Sequence, residues 1–210
     1  MSLLIRSFVQ GPVHTNAYLI ADSHTKEAAV IDPAWDGDQI YQTAMTEGWR
    51  IAHLWYTHAH FDHIAGAGAI ADLLNPLPLI GLHPADHDLW KIRGGAGYFG
   101  MTIDHGPEPV VDFFDEQILH LGSSILKVFE TPGHTRGHVV FYAAENQACF
   151  CGDLIFQGSV GRTDLPGGDH DLLIDSIDRV ILNLPDETIL YCGHGPSTTV
   201  GIERLNNPFL

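Results

Sequence analysis

The run Thr57-His58-Ala59-His60-Phe61-Asp62-His63 places four side chains of metal-ligand type within six residues. A buried polar group needs a partner, so four of them side by side do not read as ordinary core. In extended chain the side chains alternate, and His58 and His60 project the same way. A turn after them brings Asp62 and His63 to a neighbouring position. Imidazole with carboxylate suits Zn²⁺, and also Fe or Mn. The bland alternative is a solvated polar loop, and the density of ligand types weighs against it.

A cluster this short cannot enclose an ion alone, so further donors are expected downstream. Thr131-Pro132-Gly133-His134-Thr135-Arg136-Gly137-His138 is a second histidine-bearing turn between two strand-like stretches. Cys151-Gly152-Asp153 sets an acid directly after an apolar strand, and Cys192-Gly193-His194-Gly195 does the same with a histidine. Each signal is weak alone. Together they read as strand ends at one sheet edge, with His134, Asp153 and His194 bringing the donor set to seven.

These residues resemble the metallo-β-lactamase superfamily, marked by H-x-H-x-D-H, and within it the short glyoxalase II-like (hydroxyacylglutathione hydrolase-like) branch. The likeness runs from Asn16-Ala17-Tyr18 and Ile31-Asp32-Pro33 through Gly133-His134-Thr135 and Gly152-Asp153 to Gly193-His194-Gly195-Pro196. It implies an α+β fold, an αββα sandwich of two mixed sheets with helices on the outer faces. It also implies two divalent metal ions, Zn before Fe or Mn. One would be held by His58, His60 and His134, the other by Asp62, His63 and His194, with Asp153 bridging. Two such ions can share a water, lower its pKa toward ~7 and stabilise an oxyanion, so no protein nucleophile is needed. Gly158-Ser159-Val160-Gly161 is accordingly only a near miss to a nucleophile elbow.

The implied activity is hydrolysis of a small thioester, most simply S-lactoylglutathione, by a metal-bridging hydroxide. By family analogy Asp62 guides the proton to the leaving group. Arg162, in Gly161-Arg162-Thr163-Asp164, would face a glutathione carboxylate, and a salt bridge to Asp164 is its plain alternative. Lactone or ester hydrolysis on the same centre is one competing function. A mononuclear Fe(II) persulfide dioxygenase using His58, His134 and Asp153 is another. The chain ends at Leu210, sixteen residues past His194. With no low-complexity segment or long linker in the chain, a single domain over 1–210 is expected, without the C-terminal helical domain that grips glutathione in longer glyoxalase II enzymes.

Other motifs carry less. Gly66-Ala67-Gly68-Ala69-Ile70-Ala71 fits a dinucleotide pattern but starts inside a helix, where small residues serve close packing. His83 and His87 lack an intervening glutamate and read as solvent-facing on a proline-started helix. His138 opens a strand, Asp32 reads as an orienter of a ligand rather than a ligand, and His14, His24, His53, His105, His120 and His170 show no partner pattern. Cys149, Cys151 and Cys192 are an odd set in apolar surroundings, read as buried thiols in a reducing, cytoplasmic setting.

Behind these residues stands a 210-residue chain with 10 Lys+Arg, 26 Asp+Glu and 14 His, a formal charge of −16. That balance argues against nucleic-acid or anionic-membrane binding, and the resemblance implies a small-molecule thioester, possibly glutathione-linked, as the partner. No apolar run approaches the ~18 residues of a membrane helix, and the first residues lack a signal-peptide layout. Patterning predicts strands over 3–9, 16–21, 28–31, 51–56 and 78–82, then 117–121, 124–130, 138–143, 148–151 and 187–192. Helices are predicted over 38–46, 64–74, 84–92 and 172–184, with a glycine-rich surface loop over 94–106. Strand blocks closed by helices suggest two packed sheets with helices outside.

Overall fold

The computed structural model describes residues 2–210. The first sheet begins with β1 (Leu3–Gln10), β2 (Thr15–Asp22) and β3 (Glu27–Ile31), paired antiparallel in that order. Helix α1 (Gly37–Glu47) crosses over to β4 (Arg50–Trp55), which runs parallel to β3. Two short helices, α2 (Phe61–Ile64) and α3 (Ala67–Asp72), lead to β5 (Leu79–Leu82). Helix α4 (His87–Lys91) leads to β6 (Val111–Asp112), and β4, β5 and β6 continue the parallel run.

The second sheet starts with the antiparallel strands β7 (Ile118–Leu121), β8 (Ser124–Glu130), β9 (Val139–Ala143) and β10 (Ala148–Gly152). A hairpin of β11 (Ile155–Phe156) and β12 (Ser159–Val160) follows, then helix α5 (His170–Arg179). Strand β13 (Ile189–Cys192) returns parallel to β10, and β14 (Thr198–Thr199) and α6 (Val200–Asn206) complete the unit.

The alternation of side chains along the strands sorts the layers. In β2, Tyr18 and Ile20 enter the core between the sheets, where Trp55, Val128, Phe141 and Phe150 meet them. Leu19 of the same strand points to the other face, under Ile40 of α1 and Ile70 of α3. In β10, Phe150 faces inward while Cys149 and Cys151 lie beneath Leu173 and Ile177 of α5. Burying each such aliphatic side chain is worth about 1.5–3 kcal/mol. The order helix, sheet, sheet, helix is the αββα sandwich expected from the sequence.

Helix limits follow local chemistry. Gly48 closes α1 in the left-handed region at φ 70°, its N–H reaching the Ala44 and Met45 carbonyls. Asp169 caps α5 by accepting from the Leu172 N–H. The helix expected over 64–74 is divided, because Gly66 donates to the Pro33 carbonyl at 2.7 Å and lies where a Cβ would be 2.8 Å from the Pro33 and Trp35 oxygens. The small residues there serve close packing, as their spacing suggested. The helix expected over 172–184 ends at Arg179 and continues as a 3₁₀ turn, Ile181–Asn183. The 84–92 segment likewise starts as a 3₁₀ turn, Pro84–Asp86, before α4. The 94–106 stretch is not simply a surface loop: it opens in tight 3₁₀ turns in which Gly94, Gly95 and Ala96 are buried. The two-residue strands and α6 carried no readable pattern. Among the described residues no helix is long and apolar enough to cross a membrane.

The two sheets are tied by Asp22 at the end of β2. Its Oδ1 accepts from the His24 and Thr25 N–H groups at 3.0 and 2.7 Å, and its Oδ2 accepts from Ser124 Oγ of β8 at 2.7 Å. Burial pushes this carboxyl up, but the donors from Thr25 and Ser124 outweigh it and bring it down to about 2. A depressed native pKa stabilises above the ordinary carboxylate value, and that stability is lost as pH falls toward the native one. Asp22→Asn is therefore expected to cost on the order of 1–3 kcal/mol at neutral pH. In urea titrations the gap to wild type should close between about pH 4 and pH 2; a gap unchanged across that window rules the ionised link out.

Candidate metal centre

The centre is built on the carboxyl end of β3. Asp32 stands there at φ 49°, a left-handed position that Asp tolerates. Its Oδ1 accepts the Thr57 N–H at 2.7 Å, and its Oδ2 accepts from Thr57 Oγ1 at 2.7 Å and from His63 Nδ1 at 2.9 Å. With the Thr57 hydroxyl proton so committed, its oxygen accepts from His58 Nδ1 at 3.0 Å. Both rings are thereby set with Nε2 as the free donor atom. His60 is extended just ahead of α2, and Asp62 and His63 occupy that helix's only turn.

The second sheet contributes from its own strand ends. Gly133, at φ 137°, lets the 131–138 turn lie against α5, where a Cβ would come within 2.3 Å of the Leu173 backbone. His134 in that turn donates from Nδ1 to the Arg162 carbonyl at 2.7 Å and presents Nε2. Asp153 follows β10 and His194 follows β13. A Cβ on Gly193 would meet Asp153 Oδ1 at 2.1 Å, so only glycine lets these strand ends close up. The Asn16 amide donates to the Cys192 and Gly195 carbonyls at 2.9 and 2.8 Å, and Tyr18 donates to the same Cys192 oxygen, fixing the His194 turn. Thr15 donates to Asp62 Oδ2 at 2.8 Å.

All seven expected donors converge. His58, His60 and His134 form one group and Asp62, His63 and His194 another, each with its ligand atoms within 4.8 Å of one another. Asp153 lies between them. Its Oδ1 is 3.4 Å from His63 Nε2, and its Oδ2 is 3.6 Å from His134 Nε2 and 3.5 Å from His194 Nε2. Asp62 Oδ2 is 3.3 Å from His194 Nε2 and 3.5 Å from His63 Nε2. Donors arranged tetrahedrally at about 2.0–2.1 Å from an ion lie about 3.3 Å apart, close to these separations. His58 Nε2, His63 Nε2 and Asp153 Oδ1 are buried and make no hydrogen bond, as donors reserved for cations would. Asp32, His58 and His63 also fall within the same limit, but Asp32 already accepts from Thr57 and His63.

Electrostatics match that donor set. Burial pushes His58 well below the usual imidazole range, and the facing His63, His134 and His60 push it further. Burial and then His134 bring His60 down to about 3, so both rings are neutral donors. Burial would raise Asp62 and Asp153, yet His63, followed by His194, holds Asp62 at about 2 and Asp153 well below the ordinary carboxylate value. Burial works against protonation of His194 as well, but Asp153 and Asp62 raise it to about 9. Burial likewise opposes protonation of His63, but Asp62, Asp153 and Asp32 overcome it and raise His63 well above the usual imidazole range. The ionised carboxylates thus face neutral His58 and His60 and protonated His63 and His194, whose protons a divalent cation would displace.

The model of the metallo-β-lactamase superfamily matches residues 10–194. The chain belongs to the metallo-β-lactamase superfamily. Among its relatives is the hydroxyacylglutathione hydrolase GloC of Haemophilus influenzae, 36% identical over 197 residues, which are 93% of this chain and 92% of that protein. The crystal structure of the B3 metallo-β-lactamase BLEG-1 superposes with a TM-score of 0.91 at 37% identity, covering 99% of both chains. That of TTHA1623 in a di-iron-bound form gives 0.88 at 37% identity, covering 98% of this chain and all of that one.

In this superfamily member Arg162 lines the cavity over the centre, with Phe61, Phe99 and Leu165. Its guanidinium is engaged by Asp164 through two contacts, 2.7 and 2.8 Å, so the salt bridge weighed from the sequence is present. His138 is buried, 2.8 Å from Thr131 Oγ1, and belongs to neither donor group. His83 and His87 are not solvent histidines: they are half-buried, 3.0 Å from Glu130 and 3.4 Å from Asp112. His53 and His105 have partners too, His53 on Glu27 and Trp55, and His105 against Trp90.

Asp86 escaped sequence reasoning. It accepts from Ala59 N at 3.0 Å, Thr135 Oγ1 at 2.7 Å and Gly137 N at 2.7 Å, clamping the first histidine loop to the second. Its signal in the sequence is a single acid between His83 and His87, without a periodic or motif mark of its own. Asp32→Asn keeps the left-handed backbone but presents an amide, and metal affinity measured by chelator competition should fall about 10–100-fold. Asp86→Ala should lower metal affinity by a similar factor without touching a ligand; unchanged affinity in both variants means these carboxylates do not orient the donors.

Proposed function

We propose that this chain is a binuclear metal-dependent thioesterase that hydrolyses an S-lactoylglutathione-type thioester. His58, His60 and His134 would hold one ion, and Asp62, His63 and His194 the other, with Asp153 shared. The observation that carries this reading is the position of Asp153, within 3.4–3.6 Å of histidines from both groups. When bound, the ions supply an activated water and a positive field for the carbonyl oxygen. Zinc is the first choice, and the di-iron form of TTHA1623 makes iron the runner-up.

The chain's own groups do the rest. The cavity above the centre, about 190 Å³, is walled by Phe61, Phe99, Met101 and Leu165, which limit water around the reacting carbonyl. Asp62, ionised and anchored by Thr15, is placed to hold the proton released by the attacking water at a carboxylate oxygen and pass it to the departing sulfur. Among the described residues no serine or cysteine lines the cavity: Ser159 lies outside it, and Cys149, Cys151 and Cys192 are buried beneath α5. Burial pushes the Cys149 and Cys151 thiols far up, away from reactivity. The thioester reading is further supported by the likeness to GloC across nearly the whole chain.

Protein purified without chelator should carry about two metal ions per chain and turn over S-lactoylglutathione. Asp153→Asn should lower kcat by about 10²-fold or more. Arg162→Ala should raise KM for glutathione thioesters severalfold, and an unchanged KM removes Arg162 from the substrate site. One iron per chain with O₂ uptake on glutathione persulfide overturns the proposal, and so does turnover confined to lactones or β-lactams.

A further inference from the structure

The cavity over the metal centre does not end there. It shares His60, Phe99 and Leu165 with a narrow apolar hollow, and that hollow shares Leu89, Ile92 and Pro166 with a third cavity of about 390 Å³. The three cavities adjoin through these shared walls, in a row leading away from the donor cluster. The wall of the hollow is fixed by Gly94, whose left-handed backbone at φ 62° packs so tightly on the histidine loop that a Cβ would lie 2.2 Å from Phe61 N.

The far cavity is lined by Arg136. In a chain with 26 acids and 10 Lys+Arg, Arg6, Arg50, Lys91, Lys127, Arg162 and Arg204 are each paired with a carboxylate. Among the described residues Arg136 makes no hydrogen bond or ion pair, and it is exposed. Two acids share its cavity, yet both are otherwise engaged. Asp86 accepts from Thr135, Gly137 and Ala59, and Asp88 lies 3.3 Å from Lys91 Nζ. An unpaired guanidinium fork at the end of an apolar trough suits a carboxylate.

We propose that this row is a groove binding one arm of the substrate, apolar next to the scissile bond and ending in a carboxylate held by Arg136. The inference rests on the thioester reading for the bond that is cleaved, but not for what the groove holds. The arm could belong to the acyl or to the thiol half, and the probes separate the two. For the acyl half, the dicarboxylates from succinate to sebacate are each compared with the monocarboxylate of equal length, by calorimetric binding to the metal-loaded protein. For the thiol half, ω-mercaptocarboxylates are compared with alkanethiols in the same way.

In one series, at the length that spans the groove, the carboxylate-ended ligand should bind at least about tenfold tighter. Arg136→Ala should abolish that preference without weakening the methyl-ended ligand, and Arg136→Lys should restore part of it. Thioesters with and without the terminal carboxylate should show the same pattern in KM, with kcat unchanged. A wild-type protein that does not discriminate in either series overturns the proposal, as does a preference lost in Arg162→Ala and kept in Arg136→Ala. If the binding preference holds but no thioester is hydrolysed, the groove assignment stands and the thioesterase reading fails.

Discussion

Asp32 is the point on which the centre turns. Two nitrogens on each imidazole make histidine an ambiguous donor, and the ambiguity is removed only when one of them is occupied. Asp32 does this for His63 directly and for His58 through the Thr57 hydroxyl. The same carboxylate binds the Thr57 N–H, so it also fixes where β4 ends and the histidine loop begins. His134 is oriented separately, by a backbone carbonyl at Arg162. The donors are therefore preorganised by hydrogen bonds that do not involve an ion.

The second requirement is that two sheets deliver their strand ends to one small volume. Side-chain bulk there would hold them apart, and the glycines preceding Asp153 and His194 remove it. A Cβ on Gly152 would meet Thr57 Oγ1 at 2.4 Å, just as one on Gly193 would meet Asp153. Asp86 supplies the attraction that matches this lack of bulk, accepting from both histidine loops while lying on neither. Burial pushes its carboxyl up, and the three donors pull against that.

What was legible in the sequence had a short range or a strong period. Ligand types crowded into 58–63, the strand-end residues His134, Asp153 and His194, and strand blocks closed by helices pointed to the donors and to two packed sheets, and the family resemblance supplied the αββα order. What was hidden depended on long-range neighbours. The division between α2 and α3 arises from Pro33 and Trp35 pressing on Gly66, which no local propensity encodes. Glycines at 94 and 95 suggested a surface loop, and instead Gly94 packs closely on the histidine loop and Gly95 is buried beside Tyr98. The Arg162–Asp164 pair was readable from their spacing, whereas the position of Arg136 at a cavity depends on residues far off in the chain, Leu89, Ile92 and Pro166. Strands of two residues, such as β6 and β14, are too short to show a period at all.

The bridge between Thr15 and His194, with Asn16 holding the carbonyls of Cys192 and Gly195, joins the beginning of the fold to its last sheet strands. The centre is thus closed by contacts between residues nearly the full chain apart, the kind of contact that forms late because loop-closure entropy opposes it. No subset of consecutive elements contains both donor groups. A nascent chain therefore cannot bring the seven candidate donors together until its carboxyl-terminal strands have joined the second sheet.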